Sequence, residues 1–221
     1  SEQLIAQALC DAQGWDPSLT LSVNISPVQL RDPWFAQKLL KLLVTANFPA
    51  NRLDIEITES CLHNNSSGVH ALITSLKNQG VTVSLDDFGA GYSSLSQLRS
   101  LPFDRIKIDR SFVTTMAHDK ESETIIETIN ALGQGLRLPI TAEGIESQEV
   151  LDMLTRLGGQ IKGQGYLYGR PQPAEQVSEM LARRNAAPEV TEAARQAVAD
   201  LAEARRIASS DSPAQDSRRQ A

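Results

Sequence analysis

Residues 81–86 read VTVSLD, and the order of those six side chains decides the fold. Val81, Val83 and Leu85 alternate with Thr82, Ser84 and Asp86, so a strand through this stretch has one apolar and one polar face. The same alternation recurs on both sides. In Thr20–Ser26, Leu21, Val23 and Ile25 alternate with Thr20, Ser22, Asn24 and Ser26. In Leu53–Thr58, Leu53, Ile55 and Ile57 alternate with Asp54, Glu56 and Thr58, and in Arg105–Asp109, Ile106 and Ile108 alternate with Lys107 and Asp109. Pro139–Thr141 and Ile161–Tyr166 are two shorter strand candidates.

Helical periodicity fills the intervals. Leu4, Ile5, Ala8, Leu9 and Ala12 form one stripe within residues 1–15. Asp32-Pro33 reads as an N-cap followed by a first helical proline, with Phe35, Leu39, Leu42, Leu43 and Ala46 recurring behind it. Val69, Leu72, Ile73 and Leu76 mark a helix that Gly80 stops. Further helices are expected around 94–100, 121–134, 147–157 and 174–184. The result is six βα units, the sequence mark of a parallel sheet.

A parallel sheet covered by helices on both faces reads as continuous apolar runs, and these strands do not. A closed barrel explains the pattern: the apolar face meets the helices and the polar face lines the centre, with chemistry at the C-terminal strand ends. The expected class is α/β, a modified TIM-type (β/α) barrel. Six units fall two strands short of the usual eight, and the first visible element is already a helix, so the two further strands are expected ahead of residue 1. The barrel is expected to occupy residues 1–187. Residues 188–221, rich in Ala, Glu, Arg, Ser and Gln and without an aromatic side chain, are expected to be a polar tail, partly helical or disordered.

Bulk properties narrow the function. The 221 residues are 41% hydrophobic with a net charge of −6 and a pI near 5.1. That balance argues against a nucleic-acid polymer as partner. No apolar run is long enough for a membrane span. Cys10 and Cys61 match no disulfide framework or zinc spacing and suit a cytoplasmic setting, with any membrane tether lying in upstream regions. His63, His70 and His118 have no partner spacing for a triad. Asp87-Phe88-Gly89 echoes a kinase triplet, but the other kinase loops are absent.

What remains is a ladder of polar residues at successive strand ends: Asn24, Glu56, Asp86, Lys107, Glu143 and Gln164, with Asp87 beside Asp86. Singly, each has a plainer reading. Glu56 pairs with a nearby base, Asp86-Asp87 makes a turn, Lys107 pairs with Asp109 on its own strand, and Glu143 caps the next helix. Brought to one barrel mouth, the carboxylates repel one another unless cations intervene. Oxygen donors without Cys or His select Mg²⁺ or Mn²⁺. Adjacent carboxylates at one strand end suit two ions with one bridging ligand, the arrangement used in phosphodiester cleavage. Gly89 and Gly91 suggest a loop able to close over a ligand.

With these residues in view, the chain resembles the EAL phosphodiesterase family. The matching stretches are SVNISPVQL (22–30), DIEITES (54–60), SLDDFGAGYSSL (84–95), DRIKIDRSFV (104–113), TAEGIES (141–147) and QGYLYGRP (164–171), in family order. The resemblance implies that Asn24, Glu56 and Asp86 bind a first metal, and that Asp86 and Asp87 bind a second, with Asp86 bridging. It implies that Glu143 supports the second site through water, that Lys107 positions or activates the attacking water, that Gln164 holds water and that Glu59 braces the loop at 88–95. It further implies hydrolysis of cyclic di-GMP to linear pGpG with two Mg²⁺ or Mn²⁺ ions, a barrel with one antiparallel strand, and a homodimer. The family's Glu-Ala-Leu triplet occurs nowhere in these residues. A non-catalytic family member that binds nucleotide or a protein is therefore the alternative.

Overall fold

The computed structural model describes residues 2–62, 66–91, 95–159 and 161–186. The tail at 188–221, His63, and residues 92–94 of the loop after the third strand lie outside the described residues. In chain order the elements are α1 (Glu2–Ala12), β1 (Leu21–Asn24), α2 (Pro27–Leu30), α3 (Phe35–Thr45), β2 (Leu53–Thr58), α4 (Ser66–Lys77), β3 (Thr82–Phe88), α5 (Leu95–Ser100), β4 (Arg105–Ile108), α6 (Arg110–Thr115), α7 (Lys120–Leu136), β5 (Ile140–Ala142), α8 (Gln148–Arg156), β6 (Ile161–Gly163) and α9 (Ala174–Ala186). Short 3₁₀ turns precede and follow β2 at Ala50–Arg52 and Glu59–Leu62.

The six strands form one sheet in the order β1 to β6, and every neighbouring pair is parallel. The sheet curls into a half-barrel of TIM type. Two compact units divide the chain at Ala174, the sheet belonging to the first and Glu175–Ala186 to the second.

The alternation read from the sequence sets what each face buries. Leu53, Ile55, Ile57, Val83, Leu85, Ile106 and Ile108 are fully buried. They share one core with Leu39 and Leu43 of α3, Ile73 and Leu76 of α4, Val113 of α6 and Ile126 of α7. The other face is also withdrawn from water, although it is polar: Asp54, Glu56, Ser84, Asp86, Lys107 and Thr141 are all buried. Buried polar groups need partners, so this interior layer depends on hydrogen bonds and ion pairs between strands.

At the lower level of that layer Asp54 is the common acceptor. Ser84 Oγ donates to it at 2.9 and 2.8 Å, Ser22 Oγ at 3.3 Å and Arg105 Nη1 at 3.2 Å. One carboxylate thus ties together β1, β2, β3 and β4. Burial pushes its pKa up, and the Ser84 hydroxyl and the Arg105 charge oppose that shift. Arg52 does comparable work outside the sheet. Its Nε donates to the Leu19 carbonyl at 2.8 Å and its Nη2 to the Ala12 carbonyl at the end of α1 at 3.3 Å. Its guanidinium lies 4.8 Å from the centroid of the Phe48 ring.

Three boundaries differ from the sequence reading for local reasons. Asp32 is not the N-cap of α3. Its side chain accepts from Trp34 N at 2.9 Å and its carbonyl from Phe35 N at 3.0 Å, so it organises a separate turn and the helix begins at Phe35. The short helix α2 arises from a capping box, Ser26 accepting from Gln29 N while the Gln29 side chain accepts from Ser26 N. Helix α6 is capped by Asp109 directly after β4.

Replacing Asp54 with Ala leaves Arg105 without its carboxylate and should destabilise the fold by about 3 kcal/mol. Asp54→Asn, which keeps an acceptor for Ser84, should lose clearly less. Urea unfolding of the two variants checks the order.

Candidate active site

The strand register brings the polar ladder to one end of the sheet. Asn24 lies opposite Glu56, and Thr58, two residues beyond Glu56, lies opposite Asp86. Lys107 lies opposite Thr141, and Glu143 follows β5, its N–H donating to the Ile108 carbonyl at 3.3 Å.

Strict alternation would turn Asp86 and Asp87 to opposite faces. The backbone avoids this. The β3–β4 register shifts between Leu85 and Phe88, and Asp87 adopts a left-handed conformation with φ of 54°. Such an irregularity re-aims one side chain without ending the strand. As a result Asp86, Asp87 and Glu143 each offer a carboxylate oxygen within 4.8 Å of the others.

Lys107 stands among the acids and is only 4% exposed. Its Nζ donates to Glu56 Oε1 at 2.8 Å and to Glu143 Oε1 at 2.5 Å, and stands 3.4 Å from Asp86 Oδ1. The same-strand pairing with Asp109 left open by the sequence does not form. Asp109 instead accepts from the Ser111 amide at 2.8 Å and from the Ser111 hydroxyl.

Charge balance follows from the count. Three carboxylates share one ammonium, so the cation is held firmly while the anions are under-compensated. Burial alone would lower the Lys107 pKa, but the hydrogen bonds its ammonium donates to Glu143 and Glu56 outweigh it and raise it. Burial raises Glu56 and Glu143, with Lys107 opposing the shift and neighbouring acids adding to it. Burial also raises Asp87, helped by the charges of Asp86 and Asp109.

The remaining candidates sit around this cluster. Glu59, buried just after β2, accepts from the Gly89 amide at 3.0 Å through Oε2. A Cβ on Gly91 would come within 2.8 Å of Glu59 Oε1, so the loop passes this carboxylate where a side chain would intrude. Asn24 and Gln164 are exposed at the ends of β1 and β6. The Gln164 backbone bonds Ala142 O at 2.9 Å and Ile145 N at 3.0 Å. Asp109, which the sequence reads only as a same-strand partner for Lys107, caps α6 and adds negative charge beside Asp87. Asp54 and Arg105 were without a role. Their signal was present, since each lies two residues before a ladder residue on the same face.

The donors suit a hard divalent cation. Oxygen atoms from Asp86, Asp87 and Glu143 converge, and Asp86 Oδ1 is buried with no hydrogen-bond partner. A buried anionic oxygen that makes no hydrogen bond, and shares one ammonium at 3.4 Å with two other acids, suits a bound cation.

A TIM-type α/β half-barrel with an acidic cluster at the C-terminal strand ends defines the class. The sequence model of the EAL domain matches residues 1–171. The cyclic di-GMP phosphodiesterase PdeR of Escherichia coli is 40% identical over 157 residues, which are 71% of this chain and 24% of PdeR. The PaMucR phosphodiesterase of Pseudomonas aeruginosa, solved as a c-di-GMP complex, has a TM-score of 0.75 at 36% identity, covering 80% of this chain and 72% of that one. Klebsiella pneumoniae BlrP1, solved as a manganese and c-di-GMP complex, has a TM-score of 0.69 at 27% identity, covering 77% of this chain and 44% of that one. The chain belongs to the EAL domain family. It spans about a quarter of the length of PdeR.

The raised Glu143 pKa fixes the sign of a pH effect. Between its ordinary value of 4.5 and its raised folded value the folded state holds more protons than the unfolded chain, so its contribution to stability falls as pH rises. In EDTA, Glu143→Gln should flatten the loss of unfolding free energy between acidic and neutral pH. Denaturation across that range measures the slope in both proteins.

Proposed function

We propose that the protein carrying this chain hydrolyses cyclic di-GMP to linear pGpG, with divalent cations held at the barrel mouth. The observation that carries this reading is the convergence of Glu56 from β2, Asp86 and Asp87 from β3, and Glu143 from just beyond β5, around Lys107. The names and complexes of its EAL relatives support the substrate.

Asn24, Glu56 and Asp86 would hold one Mg²⁺ or Mn²⁺ ion, and Asp86 with Asp87 the second. Bound there, the two ions supply charge neutralisation for the phosphodiester and activation of a water nucleophile. Glu143 supports the second position through water. Lys107, whose ammonium is kept charged by Glu143 and Glu56, orients the attacking water and offsets charge growing on the phosphate. Gln164 fixes a water of the same network with its amide. Glu59 holds the backbone at Gly89 and so braces the loop that follows Asp87. Asp109, while capping α6, adds a further negative charge beside Asp87 and so strengthens the site's demand for cations.

The proposed barrel domain runs to residue 187, with 188–221 as a polar extension. Among the described residues no helix is long and apolar enough to cross a membrane. The proposed setting is the cytoplasm, with association into a homodimer.

The test is turnover of cyclic di-GMP by the whole protein in Mn²⁺. Asp86→Asn or Glu56→Gln should lower kcat by about 1000-fold, and variants that keep wild-type turnover contradict the assignment. Lys107→Ala should lower kcat by about 100-fold with little change in KM, because its role lies in the reacting state. Wild-type protein that binds the dinucleotide and never opens it would instead establish the non-catalytic reading.

A further inference from the structure

The mouth already contains a cation of its own. Lys107 reaches Glu56 from β2, Asp86 from β3 and Glu143 beyond β5, bonding two of them and standing 3.4 Å from the third. The side chains are 4%, 7%, 9% and 17% exposed for Lys107, Glu56, Asp86 and Glu143, so water screens them little.

We propose that Lys107 is the resident counter-ion of this site: without divalent ions its ammonium keeps the three carboxylates assembled, and it yields part of that hold when the ions bind. This rests on the reading of the mouth as a divalent-cation site and adds to it a direction of coupling.

Three observations carry it. First, the carboxylates come from separate strands and converge where like charges repel. Lys107 is the ammonium that bridges them, so it lowers the repulsion that would otherwise drive them apart. Second, one ammonium does not meet the whole demand. Asp86 Oδ1 is buried, makes no hydrogen bond and has only the shared Lys107 ammonium, 3.4 Å away, while Asp87 and Glu143 reach the same spot. The assembled site therefore still attracts positive charge. Third, an incoming cation draws on the Glu56, Asp86 and Glu143 oxygens that Lys107 uses, and two cations sharing those oxygens repel. Lys107 pairing and ion binding are therefore antagonistic, and the antagonism is reciprocal. In consequence, ion loading loosens the ammonium from Glu56 and Glu143, freeing it to meet charge on the substrate.

The test uses the whole protein and its Lys107→Gln and Lys107→Met variants, with Mn²⁺ as the probe. In EDTA both variants should melt about 5 °C below wild type. In saturating Mn²⁺ that gap should shrink by about half or more, and Mn²⁺ should bind the variants about tenfold more tightly by calorimetry. Mn²⁺ affinity equal to or weaker than wild type, or an unchanged melting gap, overturns the proposal. For wild type alone, Lys107 should be acylated faster by an amine reagent with Mn²⁺ than in EDTA, read by peptide mass spectrometry. This arm applies even if both variants fail to fold, and an unchanged rate overturns the proposal. Wild-type protein that binds no Mn²⁺ removes the metal reading itself, a result distinct from a protein that binds Mn²⁺ without regard to Lys107.

Discussion

Acidic side chains crowded at the end of a parallel sheet repel one another, and the rest of this structure is arranged so that they can stay together. Lys107 bridges Glu56 and Glu143 and faces Asp86, so charges carried by different strands are held as one cluster. Parallel strands make this convergence unavoidable, because every strand delivers its C-terminal residue to the same end. The apolar face supplies the rigidity: Ile55, Leu85 and Ile106 are sealed against helices, so the alternate residues on those strands have no choice but to point inward.

Beneath the cluster, the Asp54 network shows the same physics solved by the protein alone. Its carboxylate is buried but fully engaged by Ser22, Ser84 and Arg105. One level up, Asp86 Oδ1 has no such donor. The contrast separates a structural layer from a working one. The lower carboxylate is satisfied by hydroxyls and a guanidinium, whereas the upper one has only the Lys107 ammonium at 3.4 Å, shared with two other acids.

Much of this was legible in the sequence because period-two alternation reports directly on which face of a strand is buried. The strands through Val23, Ile55, Val83 and Ile106 were readable for that reason, and the ladder residues with them. Partners across strands were not legible, since sequence spacing carries no register. Lys107 is two residues from Asp109, yet its partners are 51, 21 and 36 positions away (Glu56, Asp86 and Glu143). The conformation of Asp87 was equally hidden: alternation assigns it to the outer face, and only the shifted register with a positive φ returns it to Asp86. Short capped elements such as α2 and α6 escaped because four to six residues are too few to show a helical period. Asp32 was misassigned because a good N-cap residue also makes a good turn.

The proposed hydrolysis depends on these oxygens forming one cation site rather than a chance cluster. Crystals of the whole protein grown with Mn²⁺ and measured for anomalous scattering test it most directly. Mn²⁺ peaks are expected within bonding distance of the Asp86 carboxylate, with Asp87 or Glu56 sharing the ion. Peaks confined to other parts of the surface, with Asp86 bare under saturating Mn²⁺, would contradict it.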